Sequence, residues 1–285
     1  MATASGRPTK AQRLAAAREE AARLRAEAEQ RARRTRMLAI GGLALAVVAL
    51  VVVVVLVLSS EEKPFGYRGE PGSVTLADVA TPAGADDDGG IPVGPGLVAG
   101  TDSGEGAVVV EVVFDYRCSY CALFEEANSP DLTRLADEGT ITLVFRPVSF
   151  LDRAEGSRQY STRVATAAAI VADRAPEHFV AFHEALMAQQ PGQGEGRDDE
   201  DIAAVARAAD VPEDVVGQLT ETVEGSSERT FARWVFAATE RGNELLGRLT
   251  TPSVLINGER WPAEETGPEA LYTAGPLRAA IEDLL

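Results

Sequence analysis

The stretch AVVVEVVFDYRCSYCALFEE, residues 107–126, changes character at its middle. From Ala107 to Phe114 it is almost entirely β-branched or aromatic, with one acid at Glu111, which is the composition of a buried strand. From Cys118 onward the apolar spacing turns helical. The reading is a strand that feeds straight into a helix, with Cys118 and Cys121 at the helix start. Chemistry favours that placement, because helix-start amides and the helix dipole stabilise a thiolate, and two intervening residues let the second sulfur reach the first. A free thiol, with a pKa near 8.5, is only about 3% ionised at neutral pH, so an attacking cysteine gains from such a setting.

These are the only cysteines in the chain, which excludes a multi-bridge scaffold and a four-cysteine zinc site. Three uses of the pair remain. A metal would need further ligands, and the two histidines, His178 and His183, lie five apart on a predicted helix, about 500° of rotation, poorly matched to one face. They read as ordinary helix residues. A static bridge is compatible with an oxidising compartment, but it would close a loop too small to restrict the unfolded chain much. A redox pair, with no metal and no cofactor, fits the strand-to-helix context. The chain carries neither a Gly-rich phosphate loop nor a nucleophilic-serine motif, so no other enzyme class competes.

Downstream, Thr140 to Pro147 reads as a second strand, reached through a helix from Cys118 that kinks or restarts at Ser129-Pro130. Residues 155–245 are almost wholly helical in pattern, with helices predicted at 158–174, 176–189, 199–209, 212–222 and 227–241. Pro176 and Pro212 suit first helical positions. Val254–Ile256 and Arg260–Trp261 flank Asn257-Gly258, a strong hairpin signal, and residues 275–285 close as a helix. Phe179, Phe182, Leu186, Phe231, Trp234 and Val235 fall at helical spacing and read as core.

Upstream, Met37–Leu58 runs 22 residues without a charge or a proline, long enough as a helix to cross the ~30 Å core of a bilayer. It is too long for the apolar part of a signal peptide, and Ser59-Ser60-Glu61-Glu62 is no small-residue cleavage site. Arg31, Arg33, Arg34 and Arg36 crowd one end and only Lys63 the other, so the N-terminus is expected in the cytoplasm and the rest outside it. The expected division is a basic helical segment at 1–36, a transmembrane helix at 37–58, a flexible Gly/Pro/Asp-rich linker at 59–90 and a folded domain at 91–285, with Ile91-Pro92-Val93 a candidate first strand. The chain's formal net charge is −17, and residues 59–285 hold 17 Lys and Arg against 40 Asp and Glu. So acidic a domain repels phosphate backbones, which excludes nucleic acid as its partner.

A second motif, Leu249-Thr250-Thr251-Pro252-Ser253-Val254-Leu255-Ile256-Asn257-Gly258, joins Phe114-Asp115-Tyr116-Arg117-Cys118-Ser119-Tyr120-Cys121 with Phe124-Glu125 in carrying a resemblance. Over about residues 91 to 285 the sequence resembles the thioredoxin superfamily, and within it the DsbA-like thiol oxidoreductases that work outside the cytoplasm. The resemblance implies an α/β thioredoxin-like fold with a helical insertion at about 155–245. It matches Cys118 to the attacking cysteine, Cys121 to the resolving cysteine, and Pro252, preceded by Thr251, to a cis-proline facing the pair. A proline there carries no N–H and no donor side chain to trap the thiolate. There are departures. The position six before the first cysteine, often a buried acid in relatives, is Val112. Glu111 is on the other strand face, so Glu111, Asp115 and water all stay open as proton acceptors for Cys121. Ser119-Tyr120 is neither the Gly-Pro of reductive thioredoxins nor the Pro-His of DsbA, which leaves the potential open. The activity implied is an oxidase that donates its disulfide to secreted or membrane proteins with free thiols and is restored by a membrane-embedded re-oxidising protein. The alternatives are a reductase or isomerase of the same fold, or a non-catalytic binding module.

Overall fold

The computed structural model describes residues 72–153, 158–190, 196–263 and 266–285. The segments expected to be a basic helix (1–36) and a membrane span (37–58) lie outside them. Among the described residues no helix is long and apolar enough to cross a membrane.

One five-stranded sheet organises the domain. Its strands β1 (Ile91–Val93), β2 (Val108–Phe114), β3 (Ile141–Pro147), β4 (Ser253–Ile256) and β5 (Glu259–Trp261) stand in the order β1-β3-β2-β4-β5. Strands β2 and β3 are parallel and the other pairs antiparallel. A parallel pair needs a crossover, and α1 (Ser119–Asp137) provides it. Between β3 and β4 run α2 (Tyr160–Arg174), α3 (Phe179–Ala188), α4 (Asp199–Ala208), the short α5 (Glu213–Val216) and α6 (Ala232–Leu246), and α7 (Pro276–Glu282) ends the chain. The β4–β5 hairpin turns on Asn257 at φ 50° and Gly258 at φ 84°, the two positive angles that its two-residue turn requires.

Alternation along β2 divides its side chains between two faces. Val110, Val112 and Phe114 join the main core with Phe124 of α1 and Phe179 and Phe182 of α3. Val113 faces the other way, into a small cluster with Val148 and Leu255. Glu111 shares that second face and pairs with Arg146, which is 1% exposed and also donates to the Asp88 carbonyl.

The structure departs from the sequence pattern at three places, two of them tied by charge pairs distant in sequence. The linker expected to run flexibly to Gly90 is folded onto the domain from residue 72. Asp86 Oδ1 accepts from the Asp88 and Gly90 amides at 2.9 and 2.8 Å, Asp88 pairs with Arg241 at 3.0 Å, and the Ala83 amide donates to Asp173 at 2.8 Å. Helix α1 is a single 19-residue element containing Pro130, without a restart there. The helices expected at 212–222 and 227–241 become α5 and α6 with a looped hairpin between them. In that hairpin the Val223 amide donates to Glu228 O and the Thr230 amide to Glu221 O, both at 2.9 Å. The cause is Arg229, 3% exposed, which reaches Asp199 Oδ2 at 2.6 Å and Leu219 O at 3.2 Å.

Removing one partner of a buried pair strands the other charge, at a cost of about 3 to 5 kcal/mol. Arg146→Ala should therefore lower the urea unfolding midpoint of the protein markedly, since it orphans both Glu111 and the Asp88 carbonyl. Glu213→Ala, which breaks only the exposed 2.8 Å pair with Arg207, should leave the midpoint in place.

Candidate active site

The chain leaves β2 at Phe114 and makes a tight turn before α1. Asp115 closes it: its carbonyl accepts from the Cys118 amide and its Oδ1 from the Arg117 amide, both at 2.9 Å. Cys118 then occupies the N-cap of α1 in an extended conformation, φ −80° and ψ 108°. Its carbonyl accepts from the Cys121 amide at 2.9 Å and from Gln190 Nε2 at 2.8 Å. Both cysteines are free thiols, Cys118 8% exposed and Cys121 1%.

Opposite them lies the loop before β4. The Thr251-Pro252 peptide is cis, and the Cys118 thiol donates to the Thr251 carbonyl at 3.4 Å. The loop is pinned from below: Ser253 Oγ donates to Thr250 O at 2.8 Å and Arg260 Nη2 to Thr250 Oγ1 at 2.7 Å. The fold thus brings the Cys118-Cys121 pair to the Thr251-Pro252 loop, more than a hundred residues further along the chain.

The two sulfurs differ sharply. The thiol of Cys118 is lowered from its ordinary 9.0 to about 6, first by the hydrogen bond from Cys121 and then, against the opposing effect of burial, by Thr251 and the amides of Cys121 and Tyr120. Burial pushes Cys121 well up, and the hydrogen bond and charge shared with Cys118 add to it. At neutral pH Cys118 is mostly thiolate and Cys121 holds its proton.

Among the three proton acceptors left open for Cys121, Glu111 drops out, because it points to the other face of β2 and is paired with Arg146. Asp115 is fully buried and electrostatically coupled to Cys121. Burial raises it from 3.8 to about 7, against hydrogen bonds from the Ser161 side chain and the Arg117 and Leu151 amides.

Three neighbours had no signal in the sequence. Gln190, just beyond α3, is tied to Cys118 only by the fold. Tyr272, in the helical turn Pro268–Tyr272, faces the exposed ring of Tyr120 at 5.7 Å between centroids. His183 was read as an ordinary helix residue, yet it is fully buried between Tyr116 Oη at 3.1 Å and Glu125 Oε1 at 3.2 Å, against the rings of Phe114 and Phe145. His178 stays near the surface beside Glu177.

Two measurements check this electrostatic picture. Alkylation of Cys118 in the reduced protein should follow a titration with its midpoint near 6 rather than near 9, and Cys121→Ala, which removes the leading hydrogen bond, should move that midpoint upward. For Asp115 the folded pKa lies above the unfolded one, so its contribution to stability is full below about 3.8 and is lost as the pH rises through about 7. Asp115→Asn should therefore gain stability relative to the parent as urea unfolding is moved from about pH 4 to about pH 8; a difference that stays flat across that range contradicts the buried acid.

The fold has known counterparts. The MdbA protein of Actinomyces oris, a thiol-disulfide oxidoreductase, superposes with a TM-score of 0.56 at 22% identity, over 74% of this chain and 93% of that one. MdbA of Corynebacterium diphtheriae gives 0.54 at 22%, over 70% and 90%. The reduced disulfide bond oxidoreductase DsbG of Mycobacterium tuberculosis gives 0.52 at 24%, over 68% and 86%. At this identity the likeness establishes the fold. No curated protein matches the sequence. The family profile described as thioredoxin matches residues 97–274, from ahead of β2 to beyond the Thr251-Pro252 loop and over more than half of the chain, and on that ground this chain belongs to the thioredoxin family.

Proposed function

We propose that this chain is a membrane-anchored, extracytoplasmic thiol-disulfide oxidoreductase that works as an oxidase of other proteins. The observation that carries the reading is the asymmetry of the pair: a lowered thiol at Cys118 against a raised, buried one at Cys121. A cysteine that is stable as a thiolate is a good leaving group, which favours handing a disulfide on over keeping it. The similar MdbA proteins are thiol-disulfide oxidoreductases and the similar DsbG a disulfide bond oxidoreductase, which supports thiol-disulfide exchange as the chemistry.

In the proposed cycle the pair begins as a Cys118–Cys121 disulfide. A substrate thiolate attacks Cys118 Sγ, forming a substrate–Cys118 disulfide and breaking the bond to Cys121, whose sulfur leaves with the electron pair. Because Cys121 is the weak acid of the two, it takes a proton, and Asp115, protonated up to about pH 7, is a buried donor coupled to it. A second substrate thiolate then attacks the substrate sulfur of the mixed disulfide and releases Cys118 as thiolate. The substrate has lost two electrons and the pair has gained them. In the disulfide form Cys118 has no S–H, so the Thr251 carbonyl is open to a main-chain donor of an extended substrate. A membrane-embedded partner would return the pair to the disulfide.

The anchor and the outer location rest on the sequence: the apolar run Met37–Leu58, the arginines before it and the acidic domain after it. In cells, Cys121→Ala should accumulate mixed disulfides with extracytoplasmic proteins on non-reducing gels, and these should vanish in the Cys118→Ala/Cys121→Ala double variant. If no adducts form and Cys118→Ala leaves cellular disulfide formation unchanged, the chain is a binding module and the oxidase reading is wrong.

A further inference from the structure

A groove of about 440 Å³ runs between α1 and α3, away from the Thr251-Pro252 loop, and the redox function does not account for it. Leu123, Pro130 and Met187 give it an apolar lining, and Glu125, Glu126 and Glu184 give it three carboxylates. Leu123 is 48% exposed and gives the groove an accessible apolar wall. The groove is physically joined to the site: Gln190 Nε2 donates both to the Cys118 carbonyl at 2.8 Å and to Met187 Sδ at 3.5 Å. A chain seated in it would run along α1 from Ala122, the residue after Cys121.

Several carboxylates of the domain take arginines: Asp88 takes Arg241, Asp199 takes Arg163 and Arg229, and Glu213 takes Arg207. In the groove Glu184 accepts from the neutral Ser129 hydroxyl at 2.7 Å and Glu125 faces His183 Nε2 at 3.2 Å. Among the described residues no lysine or arginine lines it. Glu125 is moreover 8% exposed, and a carboxylate in so apolar a setting gains most from a cation that arrives with the ligand.

Resting on the oxidase reading, we infer that this groove is a specificity site that binds a cationic, apolar segment flanking the reacting cysteine of a protein substrate. A leucine-sized side chain packs against Leu123 and Met187, while lysine or arginine pairs with Glu126 and Glu184. The groove thereby selects thiols in basic surroundings over thiols in acidic ones.

The test uses the full-length protein with its pair oxidised and two synthetic peptides. Each has one cysteine with a nearby leucine; the first has two flanking lysines and the second has glutamates in their place. The rate of mixed-disulfide formation should favour the lysine peptide by about tenfold at low salt, and the ratio should shrink as salt is added. In Glu126→Lys/Glu184→Lys the ratio should invert. In Glu259→Lys, an exposed charge reversal on the edge strand β5, it should persist. Because the readout is a ratio within each variant, a general change in reactivity cancels. A ratio near one in the parent, or a ratio lost equally in Glu259→Lys, overturns the groove reading and leaves the oxidase reading standing. If reduced glutathione fails to open the disulfide of the unaltered protein, the redox reading itself is wrong and the groove reading falls with it.

Discussion

Everything in this domain that bears on chemistry depends on how the Cys118 sulfur is held, between the Cys121 thiol and opening amides of α1 on one side and Thr251 on the other. The first partner is local, set by the turn in which Asp115 accepts the Cys118 amide. The second comes from the far end of the sequence, and strand register delivers it. Val113 of β2 stands opposite Ser253 of β4, so the chain leaving β2 meets the chain entering β4 within a few residues. A slip of one residue between these strands would turn β4 over and carry the Thr251 carbonyl away. Asn257, directly after β4, guards against that slip, its amide donating to the Val109 carbonyl at 2.8 Å and its Oδ1 accepting from the Val109 amide at 2.9 Å.

Separation of charge across the sheet is the second condition. Two acids lie close together in sequence, Glu111 and Asp115, and the pleat and the turn after it send them to different fates. Glu111 falls on the face where Arg146 waits, and there it is structural, tying β2 and β3 to the folded stretch around Asp88. Asp115 is held by the Ser161 side chain and by the Arg117 and Leu151 amides, and burial outweighs them and lifts it to about 7. The first acid holds the scaffold and the second has a proton to give near neutral pH. Exchanging their surroundings would exchange their roles, because position and not residue type decides which does what.

The legible part of this protein is the part whose signals are local. The β-branched run of β2, the Cys-x-x-Cys at a helix start and the Asn257-Gly258 turn each carry their geometry within a few residues, and each appears in the structure where the pattern places it. The Thr251-Pro252 loop was legible only through the company of the cysteines. What escaped depends on partners far away in the chain. The Asp86-Asp87-Asp88 run reads as solvated tether until Arg241 and Arg146 are brought to it, and residues 221–230 read as helix until Arg229 is drawn to Asp199. His183 follows the same logic: its spacing from His178 said nothing about Tyr116 and Glu125, which come from the turn after β2 and from α1. Gln190, tied to Cys118 across 72 residues of chain, had no local signature at all.

The central claim is that the pair is poised to give its disulfide away because the reduced form gains a stabilised thiolate at Cys118. Equilibration of the protein with reduced and oxidised glutathione tests this directly through the reduction potential. The account expects a value of about −120 to −200 mV, in the range of proteins that oxidise others. A value near thioredoxin's, about −270 mV, would mean that the disulfide is the form the protein prefers to keep, and would contradict it.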